Sequence, residues 1–303
     1  MKGLSRVLAG ATLTFASLAQ GQGLPESREA AVLGTIAHVE SHARLNEFGD
    51  EWVESLVVLR TKSGEEKALW VSGGSIGELT VEVSGEPFPR VGDVWQVKSV
   101  GDRGREIHSL SESTKDATPL DSVDSLESPR PAPTRWSGPT VEYYVNPENH
   151  DVTERAALAA VRAGAEAWSA PSHQASIELV YAGATTAKSS TSNRRNEIIF
   201  RDETSPYGPS VTAVTLSRFI RGVYTDADII FWDGAKTFFT GTTGCVDGFY
   251  IEDTATHEFG HFLGLKHSDT PRTTMYGRAQ PCSGWRRFPS PLDIAALRAL
   301  YPR

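Results

Sequence analysis

Long basic runs are missing from this chain, and its net charge is −8, so a nucleic-acid partner is not expected. Long apolar runs are missing too. The one candidate, Val7–Leu18, is shorter than the about 20 residues a spanning helix needs, and nothing later could cross a membrane as a helix. Cysteine is nearly absent: Cys245 and Cys282 are the only two. None follows the apolar start, which argues against a lipid-anchored lipoprotein. His38, His42 and His108 lack the H-x-x-H or C-x-x-C grouping of a metal site and read as surface or packing residues. What remains, 39% hydrophobic and 22% charged, is ordinary globular composition and allows one large domain or two small ones.

The start reads as a secretory signal peptide over residues 1–19. Lys2 and Arg6 supply the positive end, Val7–Leu18 the apolar run, and Ser17-Leu18-Ala19 the small residues at the cleavage positions. This places the mature protein outside the cell or in a periplasm. Residues 24–110 predict a small all-β domain, a pro-segment or accessory module. Its expected strands are Val32–Val39, Val53–Arg60, Ala68–Val71, Leu79–Val83 and Val91–Val100, with turns at Thr61–Gly64 and Gly73-Gly74. Residues 111–135 are rich in Ser, Pro, Asp and Glu and poor in large apolar groups. They form an expected linker, extended near Pro129, Pro131 and Pro133 and exposed to proteolysis.

From residue 136 the pattern changes. Thr140–Val145 predicts a strand, Thr153–Trp168 an amphipathic helix, and Ile177–Tyr181, Glu197–Phe200, Val211–Leu216 and Ala227–Phe231 further strands. Ser290, Pro291 and Asp293 open a last helix that is expected simply to pack.

The chemistry concentrates in Thr256–His267, THEFGHFLGLKH. His257 and His261 are four residues apart, so on a helix both imidazoles leave one face. Glu258 sits about 100° further round, within reach of a metal-bound water but not of the metal. Gly264 permits the left-handed turn that brings back His267. Three imidazoles leave a tetrahedral Zn²⁺ one open position, which is the mark of a catalytic site. Ala255, Phe259, Phe262 and Leu263 form the opposite, apolar stripe. Asp253 and Thr254 are the expected caps. All five fixed positions of H-E-x-x-H-x-x-G-x-x-H coincide by chance in on the order of one sequence of this length in 10⁴–10⁵.

This pattern resembles the metzincin signature, which also has a methionine turn. Met275 is the only methionine besides the first residue, and it follows in Thr273-Thr274-Met275-Tyr276-Gly277. Ser268 after the third histidine, the Met275-Tyr276 pair and the ending Pro291–Tyr301 are similar to the matrixins, the matrix-metalloproteinase family. The likeness covers roughly residues 136–301. It implies an α+β catalytic domain over 136–303, with a twisted mixed sheet, a long helix, a zinc-binding helix and a C-terminal helix. It implies one catalytic Zn²⁺ on His257, His261 and His267, Glu258 as general base, and Met275 as a floor beneath the metal. Tyr276 would border the specificity pocket. Gly277 departs from the proline that many matrixins have there, so it leaves the pocket's shape open. It is also not the metal-reaching tyrosine that serralysins and astacins place at that position.

The likeness further implies that Val211–Leu216 is the sheet edge on which a peptide substrate adds as a strand. Matrixins commonly bind calcium, which makes Ca²⁺ a candidate beside Asp226, Asp228 and Asp233. No EF-hand spacing is present, however, and these are read as solvated loop carboxylates. In an exported protein Cys245 and Cys282 are expected to form a disulfide; the rival is a free thiol acting on zinc. Many matrixins are kept latent by a pro-segment cysteine, and here none precedes Cys245. Any latency must then be steric or use a carboxylate or His108. The expected protein is a monomeric secreted zinc metalloendopeptidase acting on protein or peptide; the alternative is a non-proteolytic zinc-containing adhesion or binding protein.

Overall fold

A computed structural model of the protein describes residues 32–45, 49–84, 88–99, 105–109 and 134–303. The expected signal peptide and nearly all of the expected linker lie outside the described residues.

The N-terminal strands are β1 (Val32–Leu45), β2 (Glu51–Thr61), β3 (Glu66–Ser72), β4 (Gly74–Ile76), β5 (Leu79–Val83), β6 (Val94–Ser99) and β7 (Arg105–Ser109). Five of them make an antiparallel sheet in the order β3-β2-β1-β6-β7. Period-2 alternation along β2 turns Val53, Ser55, Val57 and Leu59 inward. Ile36, Val57, Leu59, Leu69, Val71 and Trp95 form the small core of this sheet.

The remaining two strands overturn the picture of a module standing apart. β4 and β5 leave the first sheet at Gly73-Gly74 and enter a second, seven-stranded one. A Cβ on Gly74 would lie 2.1 Å from Ser55 Oγ and 2.5 Å from Ser41 Oγ, and the φ of Gly74 is +145°. Only glycine fits this crossing.

The C-terminal region contains β8 (Thr140–Val145), α1 (Glu154–Glu166), β9 (Glu178–Ala184), β10 (Glu197–Arg201), β11 (Ala213–Ile220), β12 (Val223–Trp232), β13 (Phe238–Phe239), β14 (Phe249–Tyr250), α2 (Ile251–Phe262) and α3 (Pro291–Leu300). The main sheet runs β4-β5-β11-β12-β10-β8-β9. β12, β10, β8 and β9 are parallel, and β11 is antiparallel to β12. β5 pairs along β11 from Leu216↔Val83 to Ile220↔Leu79, and the Ser84 amide donates to Thr215 O, so the edge expected over Val211–Leu216 is covered at its Thr215–Leu216 end.

α1 begins at the Thr153 cap, whose side chain accepts from Ala156 N–H. It buries Ala157, Val161 and Ala165 against the sheet and α2. The helices cross closely at Gly164, where a Cβ would meet Ala255 Cβ at 2.7 Å. Trp168 then donates from Nε1 to Thr256 O at 2.7 Å, which fixes the two helices in register.

The carboxylates expected in solvated loops are instead buried. Asp226 and Asp228 are 1% and 0% exposed. Arg218 Nη1 bonds Asp226 Oδ1 at 2.6 Å and Asp228 Oδ2 at 3.0 Å. Ser190 Oγ and the Glu197 amide also donate to Asp228. Burial raises both carboxyl pKa values, and Arg218 opposes the shift. From the N-terminal part, Glu51 O accepts from Arg218 Nη2, and Asp50 pairs with Arg201 Nη1 at 2.9 and 3.0 Å. The first sheet is thus fastened to the second through buried charge. Cys245 and Cys282 form a disulfide.

Candidate active site

α2 begins earlier than its sequence suggested. Its N-cap is Tyr250, with no side-chain cap, and Asp253 and Thr254 lie inside the helix. Asp253 has another use: its Oδ1 accepts the Arg286 amide at 2.7 Å. Glu252 and Asp253 still place negative charge in the first turn, where the helix dipole favours it.

Ala255, Phe259, Phe262 and Leu263 are completely buried, so one face of α2 is locked into the core. That lock aims His257 and His261 the other way. After the helix, Gly264 takes φ +96°, and its Cβ would strike Thr134 O at 2.9 Å. The reversal returns His267 to its partners. His257 Nε2 and His267 Nε2 are 3.3 Å apart, and ligand atoms of all three histidines lie within 4.8 Å of one another.

Each helical imidazole is held by its other nitrogen. His257 Nδ1 bonds Thr274 O at 2.6 Å, and His261 Nδ1 bonds Leu265 O at 2.8 Å. A carbonyl can only accept, so both Nδ1 atoms carry the proton and both Nε2 lone pairs face the cluster. His261 Nε2 is buried without a hydrogen-bond partner. Burial, above all, holds the pKa values of His257 and His261 well below the ordinary histidine value, so these rings are neutral. Neutral, converging imidazoles with an orphaned nitrogen fit a Zn²⁺ ion. His267 is exposed to solvent.

Met275 is buried, 2% exposed. A Cβ on Gly260 would fall 2.2 Å from Met275 Sδ, so glycine at that helical position makes room for the thioether. The turn is pinned by α3. Asp293 accepts from the Thr274 and Met275 amides at 2.8 and 3.3 Å while completing a capping box with Ser290. The last helix therefore does more than pack. Arg286 joins the same scaffold, donating from Nη2 to Tyr276 O at 2.6 Å. Tyr276 is half-buried. A Cβ on Gly277 would press on the His267 ring, 3.0 Å from Nδ1, which gives the departure from proline a local reason.

Glu258 is 3% exposed. Its Oε2 accepts from Thr215 Oγ1 at 2.7 Å and from Ser84 Oγ at 3.3 Å. Burial raises its carboxyl to about 7, against the pull of those two hydroxyls. Sequence reasoning missed Thr215, Ser84, Asp293 and Arg286 as parts of the site. Only Asp293 carried a signal, its place three residues after the Ser290 cap.

A helix presenting two histidines, a glycine reversal to a third, an acid between them and a methionine turn define a metallopeptidase domain of the metzincin type. Within that class, the family model of the matrixins matches residues 135–302. That is more than half of the chain, and the chain belongs to the matrixins. No curated protein matches it.

Proposed function

We propose that this protein is a secreted zinc-dependent endopeptidase in which His257, His261 and His267 hold the metal and Glu258 is the general base. The observation that carries the reading is the buried carboxylate of Glu258, one residue after the first histidine and fixed by Thr215 at 2.7 Å. When bound, Zn²⁺ would polarise the scissile carbonyl and lower the pKa of water towards about 7. The chain supplies the rest. Glu258 takes a proton from the attacking water and delivers it to the departing amine. Thr215 keeps the carboxylate aimed. The carbonyls of Thr274 and Leu265 keep the imidazoles in one tautomer. Asp293 and Arg286 hold the methionine turn in place.

Caseinolysis with and without a zinc chelator tests the reading. Activity that the chelator abolishes and zinc restores is expected. Zinc bound stoichiometrically without cleavage, even after the linker is cut, would favour the adhesion or binding alternative. Export rests on the sequence of residues 1–19 and is consistent with the Cys245–Cys282 disulfide. No helix among the described residues is long and apolar enough to cross a membrane.

A further inference from the structure

The N-terminal region contributes a strand that reaches the Thr215–Leu216 end of the edge expected to take a substrate. β5 pairs antiparallel with β11 over five residues, Leu79–Val83 against Leu216–Ile220. The pairing continues one residue further, where the Ser84 amide donates to Thr215 O at 2.9 Å. There the pattern changes. The Thr215 amide donates to the Ser84 hydroxyl, at 2.8 Å, where the next ladder bond would use a backbone carbonyl. The same hydroxyl reaches Glu258 Oε2 at 3.3 Å.

Alternation along the strand divides β5 into two faces. Val81 and Val83 are buried, and Val83 packs with Val214, Leu216 and Trp232 on the face away from the histidines. Glu82 and Ser84 point the other way. Glu82 Oε2 meets Lys266 Nζ at 2.5 Å, beside His267, and Ser84 meets Glu258. The face turned to the histidines is therefore polar and makes contacts specific to the site.

We propose that Leu79–Ser84 is a displaceable plug: a pseudo-substrate strand on β11 that ends with the Ser84 hydroxyl seated on the base. A hydroxyl presents no acyl carbon, so the group nearest Glu258 blocks the base without being a bond it can hydrolyse. The inference rests on the peptidase reading, because it assigns the regulation of that same site.

The test uses the full chain loaded with zinc and two variants. Glu82→Pro removes a backbone donor from the plug, and Glu82→Lys turns its ion pair with Lys266 into a repulsion while keeping the backbone. One probe is a quenched fluorogenic peptide. The other is a peptide hydroxamate, which binds zinc and the cleft without turnover, with amide hydrogen exchange read over residues 79–84. A competent fraction raised by opening the plug lowers the apparent dissociation constant in proportion. We expect hydroxamate affinity and kcat/KM to rise about tenfold or more in Glu82→Pro, and less in Glu82→Lys. We also expect exchange at 79–84 to accelerate when hydroxamate binds the wild type. Equal hydroxamate affinity in all three proteins, or none in any, with protection at 79–84 unchanged, would overturn the plug and make β5 a permanent strand. Hydroxamate displacement of β5 with no peptide cleavage in any variant would leave the plug standing and defeat the peptidase reading instead.

Discussion

Two groups of side chains in this protein could each hold a cation, and they are built differently. His257, His261 and His267 converge from α2 and the turn after it, and both helical rings are fixed by backbone carbonyls. His150, Asp202 and Asp233 also bring ligand atoms within 4.8 Å. There, however, His150 and Asp202 have side chains 62% and 65% exposed and pair with each other at 3.0 Å. Both groups contain an unpartnered buried atom, His261 Nε2 in one and Asp233 Oδ1 in the other. What separates them is orientation before the ion arrives. The first group has its lone pairs aimed by outer partners, whereas the second would have to break an ion pair and order two exposed side chains.

The sharpest way to break this contrast is Glu258→Ala. Turnover is expected to fall about 10²–10⁴-fold with zinc retained, because the base goes and the ligands stay. Wild-type cleavage by a zinc-replete variant would remove the chemistry from the first group. Next comes His267→Ala, expected to weaken zinc by more than the about 10–100-fold that losing an outer partner costs. Metal analysis after dialysis decides it, and full occupancy would move the third ligand elsewhere. Asp293→Ala should sit within that 10–100-fold range, since it frees the Thr274–Met275 turn whose carbonyl orients His257. Unchanged zinc affinity at unchanged stability would show that the turn orients nothing.

The smallest effect belongs to Asp233→Asn. One tightly held zinc per chain should remain, and loss of a metal equivalent would make the two groups alike. Burial raises the Asp233 carboxyl, against the His150 amide and ring that favour its charge, with Asp151 and Asp202 adding to the rise. A raised folded-state value means stability present at low pH is lost as pH climbs from the unfolded carboxylate range through the folded one. The Asn variant should lose that slope in pH-dependent thermal unfolding. An unaltered slope would assign it to other carboxyls.

The helix α2 that carries His257 and His261 was legible because both of its requirements are local: a 3.6-residue period for the apolar stripe and fixed offsets for the histidines. Its start was not, since Asp253 looks like a cap and is claimed by Arg286 from 33 residues away. The capping box of α3 was read correctly, but the second duty of Asp293 on the methionine turn is a tertiary contact with no periodic trace. Asp226 and Asp228 read as solvated because sequence alone does not show the register that places Arg218 opposite Asp226 across the β11–β12 hairpin. The strand Leu79–Val83 was recognised at its observed bounds. Its partner, more than a hundred residues on, was not, because alternation shows which face is apolar and not which edge it joins.

The buried pair between Asp50 and Arg201, with Glu51 O on Arg218, has a consequence for any cut in the 111–133 stretch. The chain would then be two polypeptides still joined by buried ions and a strand ladder. If residues 111–133 act as a tether and Leu79–Ser84 as the proposed plug, the N-terminal part competes for the site at the millimolar effective concentration typical of a short tether while the chain is whole; once cut, it competes only at its concentration in solution. Nicking alone would leave the cut protein behaving as a reversible complex. Its specific activity should climb after dilution with a lag set by dissociation, and should fall again when the fragments are concentrated.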